Sequence, residues 1–577
     1  MANNRYEFDG MKMIEEITTN AEQTQEQLLR QILERNAGAE YLSRYLNGET
    51  DKHLFKKNVP IVTYEDIKPY IDRIANGETS NVLTAESVIQ FYRSSGTSGE
   101  NPKMIPVTAE IPNLRTIYFG LFTSVMKKHF GDFDKEGKRL EFMFTKPDTE
   151  TPSGLKARSV STSLYKEDGF RTIISQHHTS PIEAIFCSDT SQSMYCQLLT
   201  GLIKRDEVAS VASAFATALL RAIKFLEDHW MELCSNIRSG QLSHWITDSG
   251  CRHAVSSTMK PNPQLAESIE NICGCKSWEG IIRKLWPKAK FIATIATGVM
   301  SQYVETLKFY SGGLPLVSGM YVSSEAFCGI NLEPRNEPSK VSYTLLPNMA
   351  YFEFLPINKD TPTMSEESIE PVDLVHVKLD QHYALLVTSY AGLYRYKVGD
   401  VLKVTGFHNA TPQFQFVERQ NTILSIDTDK TSEEDLLKAV TEAKTLLEPL
   451  GFILRGYTSY ADTTSIPGHY VVFWELKPKE GNNDQELDPK TMADCCYRME
   501  ESLGYIYRSN RKQNAVAALE IRVVKQGSFD ALMDFYVSKG APMAQYKTPS
   551  CINSIEALNI LDSNVMAKFF SPQSPML

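Results

Sequence analysis

Three short stretches and two lysines carry the residue types that handle phosphate and activated carboxylates. Ser94-Ser95-Gly96-Thr97-Ser98-Gly99 is an unbroken run of hydroxyls and glycines, and Lys103 follows shortly after. Small residues let backbone N–H groups and hydroxyls approach an anion closely, and the lysine adds positive charge. The run leaves Val88-Ile89-Gln90-Phe91-Tyr92, a predicted buried strand. It departs from GxxxxGK followed by Ser or Thr, which disfavours P-loop kinases and GTPases, and by composition alone it also fits a surface turn. Tyr321-Val322-Ser323-Ser324-Glu325 offers a ring for a purine face, two hydroxyls for phosphate, and in Glu325 a carboxylate for a hard divalent cation. Gly392-Leu393-Tyr394-Arg395-Tyr396-Lys397-Val398-Gly399-Asp400 ends in a carboxylate placed to accept ribose hydroxyls, although Gly-Asp alone is commonly a turn. Lys430 and Lys547, far along the chain, are candidates to stabilise charge growing on an α-phosphate; taken singly, most lysines are merely solvated.

Together these residues ask for a nucleotide, a magnesium ion, a large domain that binds both and a small domain that swings. The chemistry that fits is carboxylate activation. An acid oxygen attacks the α-phosphate of ATP, pyrophosphate leaves, and a second nucleophile takes the acyl-adenylate, with Lys103, Mg²⁺ and a mobile lysine offsetting negative charge. Neither HExxH, nor GxGxxG after a strand, nor a Ser-His-Asp set in motif context is present, so hydrolase, zinc-protease and dinucleotide oxidoreductase readings are weak.

The elements that must position these groups follow from periodicity. Leu28, Leu29, Ile32 and Leu33 form one face of an early helix, and Thr63-Tyr64-Glu65-Asp66 reads as a capping box for another. From Val88 onward short apolar strands alternate with long helices such as Phe215 to Trp230, which means α/β. The pattern turns β-rich over Pro338 to Glu353 and Val372 to Phe407, a barrel-like subregion, with an exposed loop at Lys359 to Glu370. A hinge is expected at Glu418-Arg419-Gln420-Asn421. The expected division is therefore a multi-layer nucleotide- and acid-binding domain over 1–421 and a small mobile α+β domain over 422–577. In the latter, Thr431-x-x-Glu434 caps a helix, His469 to Leu476 and Leu519 to Val524 are strands, and Thr491 to Ser509 and Phe529 to Ser538 are helices.

Composition narrows the partners. The 577 residues are 42% hydrophobic and 23% charged, an ordinary globular balance, and the formal charge of −10 with no basic stripe excludes a nucleic-acid role. No apolar run approaches the ~20 residues of a membrane span, and the first residues lack the order of a secretory signal, so a cytoplasmic monomer is expected. Ten cysteines match no common disulfide or zinc spacing; Cys273, Cys275 and His253 lack a fourth ligand.

SSGTSGENPK, YVSSE and GLYRYKVGD, followed by TDKTSEEDL, SYAD, PGHYVVFWEL and QYKTP, resemble the plant acyl acid amido synthetases of the Gretchen Hagen three family over almost the whole chain. That family lies in the adenylate-forming, firefly-luciferase-like superfamily. The resemblance implies ATP, Mg²⁺, an acyl-adenylate and a terminal domain that rotates between half reactions, joining a carboxylic acid to an amino acid in plant hormone or phenolic acid homeostasis. It implies Ser95, Ser98 and Lys103 at the phosphates, Tyr321 against adenine, Ser324 near the phosphate, Glu325 on magnesium, Asp400 on the ribose and Arg419 at the hinge. Lys430 and Lys547 match the terminal-domain lysines that approach the nucleotide. The acid is expected among Tyr118, Leu121, Phe122, Phe215, Thr297 and Val322. Glu100, Val322, Ala384 and Ser550 depart from the family pattern. The likeness is closest to the crucifer benzoate- and chorismate-related subgroup, although Phe122 stands where some benzoate-preferring relatives carry arginine. An acyl-CoA ligase, a conjugator of indole or jasmonate acids and a non-catalytic binding member are the alternatives.

Overall fold

The computed structural model describes residues 9–94, 103–357, 369–419, 422–426, 429–479 and 487–577. The early helix spans Ala21–Asn36 and buries Leu28, Leu29, Ile32 and Leu33. Thr63 and Asp66 close a capping box on the helix Tyr64–Ala75. The first helices pack on a core shared with an eight-stranded antiparallel sheet. Its order is Val372–Asp373, Tyr351–Ile357, His382–Thr388, Tyr396–His408, Thr411–Arg419, Tyr343–Leu345, Phe327–Ile330, Met320–Val322.

A second layer is the parallel sheet Lys138–Phe142, Val208–Phe215, Ile292–Ile295 and Leu316–Val317. Against it lies the helix Ala216–Ser239, longer than the predicted Phe215 to Trp230 because Leu233 and Ile237 continue its buried stripe to Gly240, which ends it at φ 70°. A smaller sheet joins Met104–Thr108, Val88–Arg93, Lys156–Arg158 and Thr149–Glu150. The strand Val88–Arg93 therefore leads from the interior to Ser94.

The last unit has its own core on the sheet Phe452–Asp462, His469–Pro478, Glu520–Val524, Val565–Phe570. Its outer strands escape a periodicity reading. Val565–Phe570 alternates between partly buried and exposed residues. The predicted helix Thr491 to Ser509 is two helices, Pro489–Ser502 and Tyr505–Lys512, broken at Leu503-Gly504, where glycine disfavours helix continuation. The helix Glu433–Lys444 is capped one residue later than predicted, by Ser432, whose hydroxyl accepts from the Asp435 N–H; Thr431 turns back to Asp429 instead. Eight of the ten cysteines are buried and all ten are free. No helix among the described residues is long and apolar enough to cross a membrane.

Within the motif Gly392 to Asp400 the sheet is locked by a buried ion pair. Arg395, in the left-handed region at φ 48°, donates from Nε and Nη2 to both oxygens of Glu353 at 3.0 Å, and from Nη1 to the carbonyls of Lys56 and Val59 at 2.6 and 2.9 Å. Gly399 adopts φ 92° where the register against His382–Thr388 shifts, so the strand bulges and re-aims the next residue, Asp400. Breaking a buried pair strands the remaining charge. Arg395→Met is therefore expected to destabilise the chain by about 3–5 kcal/mol, read by urea denaturation.

Candidate functional site

Asp400 is 3% exposed and sits where three strands meet. One of its oxygens accepts from the Tyr321 hydroxyl at 2.8 Å, the other from Nε of Arg419, its cross-strand partner, at 3.0 Å. A carboxylate offers about four lone-pair sites, so acceptor capacity remains for a ligand's hydroxyls. The Tyr321 ring lies 5.7 Å from Tyr343 and 6.5 Å from Phe416, centroid to centroid. Its hydroxyl is pushed well above the usual tyrosine range, first by burial and then by the charge of Asp400.

Beyond Tyr321 the chain turns tightly. The Ser323 hydroxyl accepts from the N–H groups of Glu325 and Ala326, both at 3.2 Å. This turn presents Ser324 and Glu325 to a narrow cavity also lined by Tyr92, Ile105, Met349 and Ser389. Tyr396 donates to Glu325 across a long 3.4 Å, and no lysine or arginine pairs with that carboxylate among the described residues. Oxygen donors with a carboxylate in no direct ion pair among the described residues suit a hard cation such as Mg²⁺.

Lys547 approaches from the terminal unit. Its Nζ lies 4.9 Å from the centroid of the Phe215 ring, and its amine is lowered to about 8, by burial first and then by the like charge of Arg419; Asp400 and Glu433 oppose the shift. Asp400 and Arg419 on the large sheet and Lys547 in the terminal unit thus share one electrostatic site. The segment around Lys547 is pinned on both sides. Thr217 donates to the Tyr546 carbonyl at 2.8 Å, and the Tyr303 and Thr548 hydroxyls lie 2.6 Å apart. Thr458 and Ser459 donate to the carbonyls of Pro549 and Ser550, each at 2.6 Å. Ser550 donates to Glu433 at 2.7 Å, and burial raises that carboxyl despite the hydrogen bond. Tyr457 N–H to Gln302 at 3.0 Å and Arg221 to Asp534 at 3.1 Å extend the docking.

The other expected residues are distributed unevenly. Lys430 is exposed beside the buried Asp429, and no contact among the described residues links it to Asp400. Lys103 closes the Ser94 loop through paired backbone and hydroxyl bonds at 3.0 and 2.9 Å, with its amine 5.7 Å from the centroid of the Tyr64 ring. Ser95, Ser98 and Glu100 lie outside the described residues, as does most of the Lys359 to Glu370 loop.

Tyr118 and Leu121 are fully buried, and the Tyr118 hydroxyl is committed to the Gly329 carbonyl at 2.7 Å. Phe122, Phe215, Thr297 and Val322 keep partial exposure. The Phe122 ring lies so flat against Gly319 that a Cβ there would come within 2.4 Å of it. Thr297 and Ser318 both hydrogen-bond the Tyr343 hydroxyl at 3.0 Å. Ser318, Tyr343 and Glu433 were not singled out from sequence. Glu433 sits in an acidic first turn that reads only as helix capping, and the other two lie in short strands or loops without a motif.

A model of the GH3 family N-terminal domain matches residues 10–316, and the family's central and C-terminal domain models match 343–419 and 434–556. Indole-3-acetic acid-amido synthetase GH3.17 of Arabidopsis thaliana is 52% identical, covering 98% of this chain and 97% of its own length. The 4-substituted benzoates-glutamate ligase GH3.12 of the same plant is 49% identical, covering 97% and 98%. The solved structure of GH3.15 acyl acid amido synthetase superposes with a TM-score of 0.91 at 49% identity, covering 98% of each chain. Fold and relatives define an adenylate-forming enzyme that ligates an acid to an amino acid. The chain belongs to the GH3 family.

Tyr321→Phe keeps the ring and removes one donor from the buried Asp400. The variant is expected to lose about 1–3 kcal/mol in urea unfolding, the cost of an orphaned acceptor.

Proposed function

We propose that this enzyme adenylates an aromatic acid whose carboxylate stands on a methylene or longer spacer, and passes the acyl group to an amino acid. The observation that carries the reading is the convergence of Lys547 on Asp400 and Arg419. In the first step a carboxylate oxygen bonds to the α-phosphorus of ATP as the bond to the bridging oxygen breaks, and pyrophosphate leaves. In the second the amine bonds to the acyl carbon, AMP leaves and the amine's proton goes to solvent. Asp400 holds the ribose and orients Tyr321 beside the base; Lys103, Ser95 and Ser98 hold phosphate. Protonated Lys547 faces the α-phosphate, where negative charge grows. Glu325 would hold Mg²⁺, which when bound offsets phosphate charge. Lys430 would act after the domain beyond residue 421 has turned, since it lies outside the docked site. Phe122, Phe215 and Val322 offer a partly exposed apolar wall, which suits the ring and spacer of an arylalkanoic acid.

Acid-dependent exchange of labelled pyrophosphate into ATP tests the assignment. Indole-3-acetate and arylbutyrates are expected to drive it faster than benzoate or 4-hydroxybenzoate, and no exchange with any acid refutes adenylation. Lys547→Ala is expected to slow exchange by about 10²–10³, the cost of removing one group aimed at developing charge. A normal rate in that variant excludes the lysine.

The charge state gives a separate readout. With its amine at about 8, Lys547 loses its proton as pH rises through that value, so kcat/KM for ATP should fall there. Lys547→Arg, which stays charged, should lose that descending limb, and an unaltered profile would contradict the role.

A further inference from the structure

Away from Asp400, three ligand-bearing side chains gather beside the core of the parallel-sheet layer. Cys187 follows the helix Ile182–Phe186, Asp248 caps the helix Ser249–Ser256, and Cys251 lies in the first turn of that second helix. The two thiol sulfurs and a carboxylate oxygen all stand within 4.8 Å of one another, and among the described residues no other His, Cys, Asp or Glu side chains form such a group. Both thiols are free and buried, whereas Asp248 is partly exposed and opens the group to solvent on one side. The cap brings Asp248 over the first turn, where one of its oxygens accepts from the Cys251 N–H at 2.8 Å. Gln192 then fixes this turn against the segment that bears Cys187. Its side-chain oxygen accepts from the N–H groups of Thr247 and Asp248 at 2.8 and 2.9 Å, and its amide donates to Asp189, two residues beyond Cys187, at 3.1 Å.

Two buried thiols alone would be ordinary core, since free cysteine packs as a small apolar residue. The carboxylate beside them is different. No lysine, arginine or histidine pairs with Asp248 among the described residues, and Arg252, one turn further along the helix, donates instead to the carbonyls of Ser243 and Ile246 at 2.6 and 2.9 Å. Ligand atoms on one tetrahedral ion stand about 3.5–3.8 Å apart at bonds of about 2.0–2.3 Å, so small side-chain rotations close this group on an ion. We propose that Cys187, Asp248 and Cys251 bind a thiophilic divalent cation of the Zn²⁺ type. Zn²⁺ accepts sulfur and carboxylate oxygen together, whereas Mg²⁺ and Ca²⁺ take oxygen and Cu(I) takes sulfur. The two thiols release their protons to solvent as the ion enters, and water on the exposed side fills the fourth position. Bound there, the ion joins two helices that no covalent bond connects directly. The site is independent of the adenylation reading.

The test is titration of the full chain with Zn²⁺ against a chromophoric chelator, with its thiols kept reduced by a phosphine and Mg²⁺ in excess to fill oxygen-only sites. Binding of about one ion per chain is expected. Cys187→Ser and Cys251→Ser should each weaken it by at least the ~10–100-fold that losing even an outer partner of a metal site causes. Asp248→Asn keeps a helix cap and removes the charge, and should weaken it by about tenfold or more. Cys275→Ser, which removes an exposed thiol elsewhere, should leave it unchanged. Co²⁺ in place of Zn²⁺ should give a sulfur-to-metal charge-transfer absorption that the Cys187→Ser variant lacks. Saturating Zn²⁺ should raise the urea midpoint of the parent and not that of the two serine variants, whose far-ultraviolet circular dichroism should match the parent and separates a lost ligand from a lost fold. Absence of Zn²⁺ binding in the parent overturns the proposal, as does unchanged affinity in both serine variants. Loss of binding in Cys275→Ser overturns it too, since the ion would then sit on a surface thiol.

Discussion

Asp400 is a charge kept almost entirely out of water, and much of the molecule is arranged so that it stays there. An ionised carboxylate at 3% exposure needs donors on both oxygens, and it has them from Tyr321 and Arg419. Those donors come from different strands, so the carboxylate ties the strand Met320–Val322 to the strand Thr411–Arg419. The bulge at Gly399 and the buried Arg395–Glu353 pair hold the intervening strand to that geometry. The ionic residue of the third motif that a ligand would meet is thus Asp400. Arg395, five positions before it, holds the sheet and is spent on Glu353 and two carbonyls.

Docking of the terminal unit extends this electrostatic centre. Lys547 is placed between the cation of Arg419, which disfavours its proton, and the carboxylates of Asp400 and Glu433, which retain it. A lysine balanced in this way is ready to respond to an incoming phosphate, whose charge would tip it toward the protonated form. Glu433 and Ser550 tie together two segments of the terminal unit that lie far apart in sequence.

The helix Glu110–Phe130 divides its labour. Tyr118 and Leu121 point into the core, where the tyrosine hydroxyl satisfies a strand carbonyl, while Phe122 on the neighbouring face rests on Gly319 with part of its ring open. Only a glycine permits that close approach. The surface beside Phe122 is therefore shaped by residues on strands and loops facing the helix as much as by the helix itself, and Ser318 and Tyr343 join Thr297 in a hydroxyl network behind it.

The motif chemistry proposed for this chain is read from residue type and local order alone. The hydroxyl-glycine run, the tyrosine-to-glutamate turn, the aspartate after a strand and the lysine near the end of the chain raise the expectation of a phosphate, a purine, a cation and a ribose without any fold. Helices with a sustained buried stripe were equally legible, and so was the α/β alternation. The break at Gly504, the edge strand Val565–Phe570 and the extension to Gly240 were not, because each depends on what packs alongside. Tertiary structure alone decided that Lys547, and not Lys430, stands by Asp400 in the docked arrangement, and that Tyr118 belongs to the core. The reason is physical: residue type sets what a group can do, whereas desolvation and the charges nearby set whether it does it, and both are properties of the packed chain.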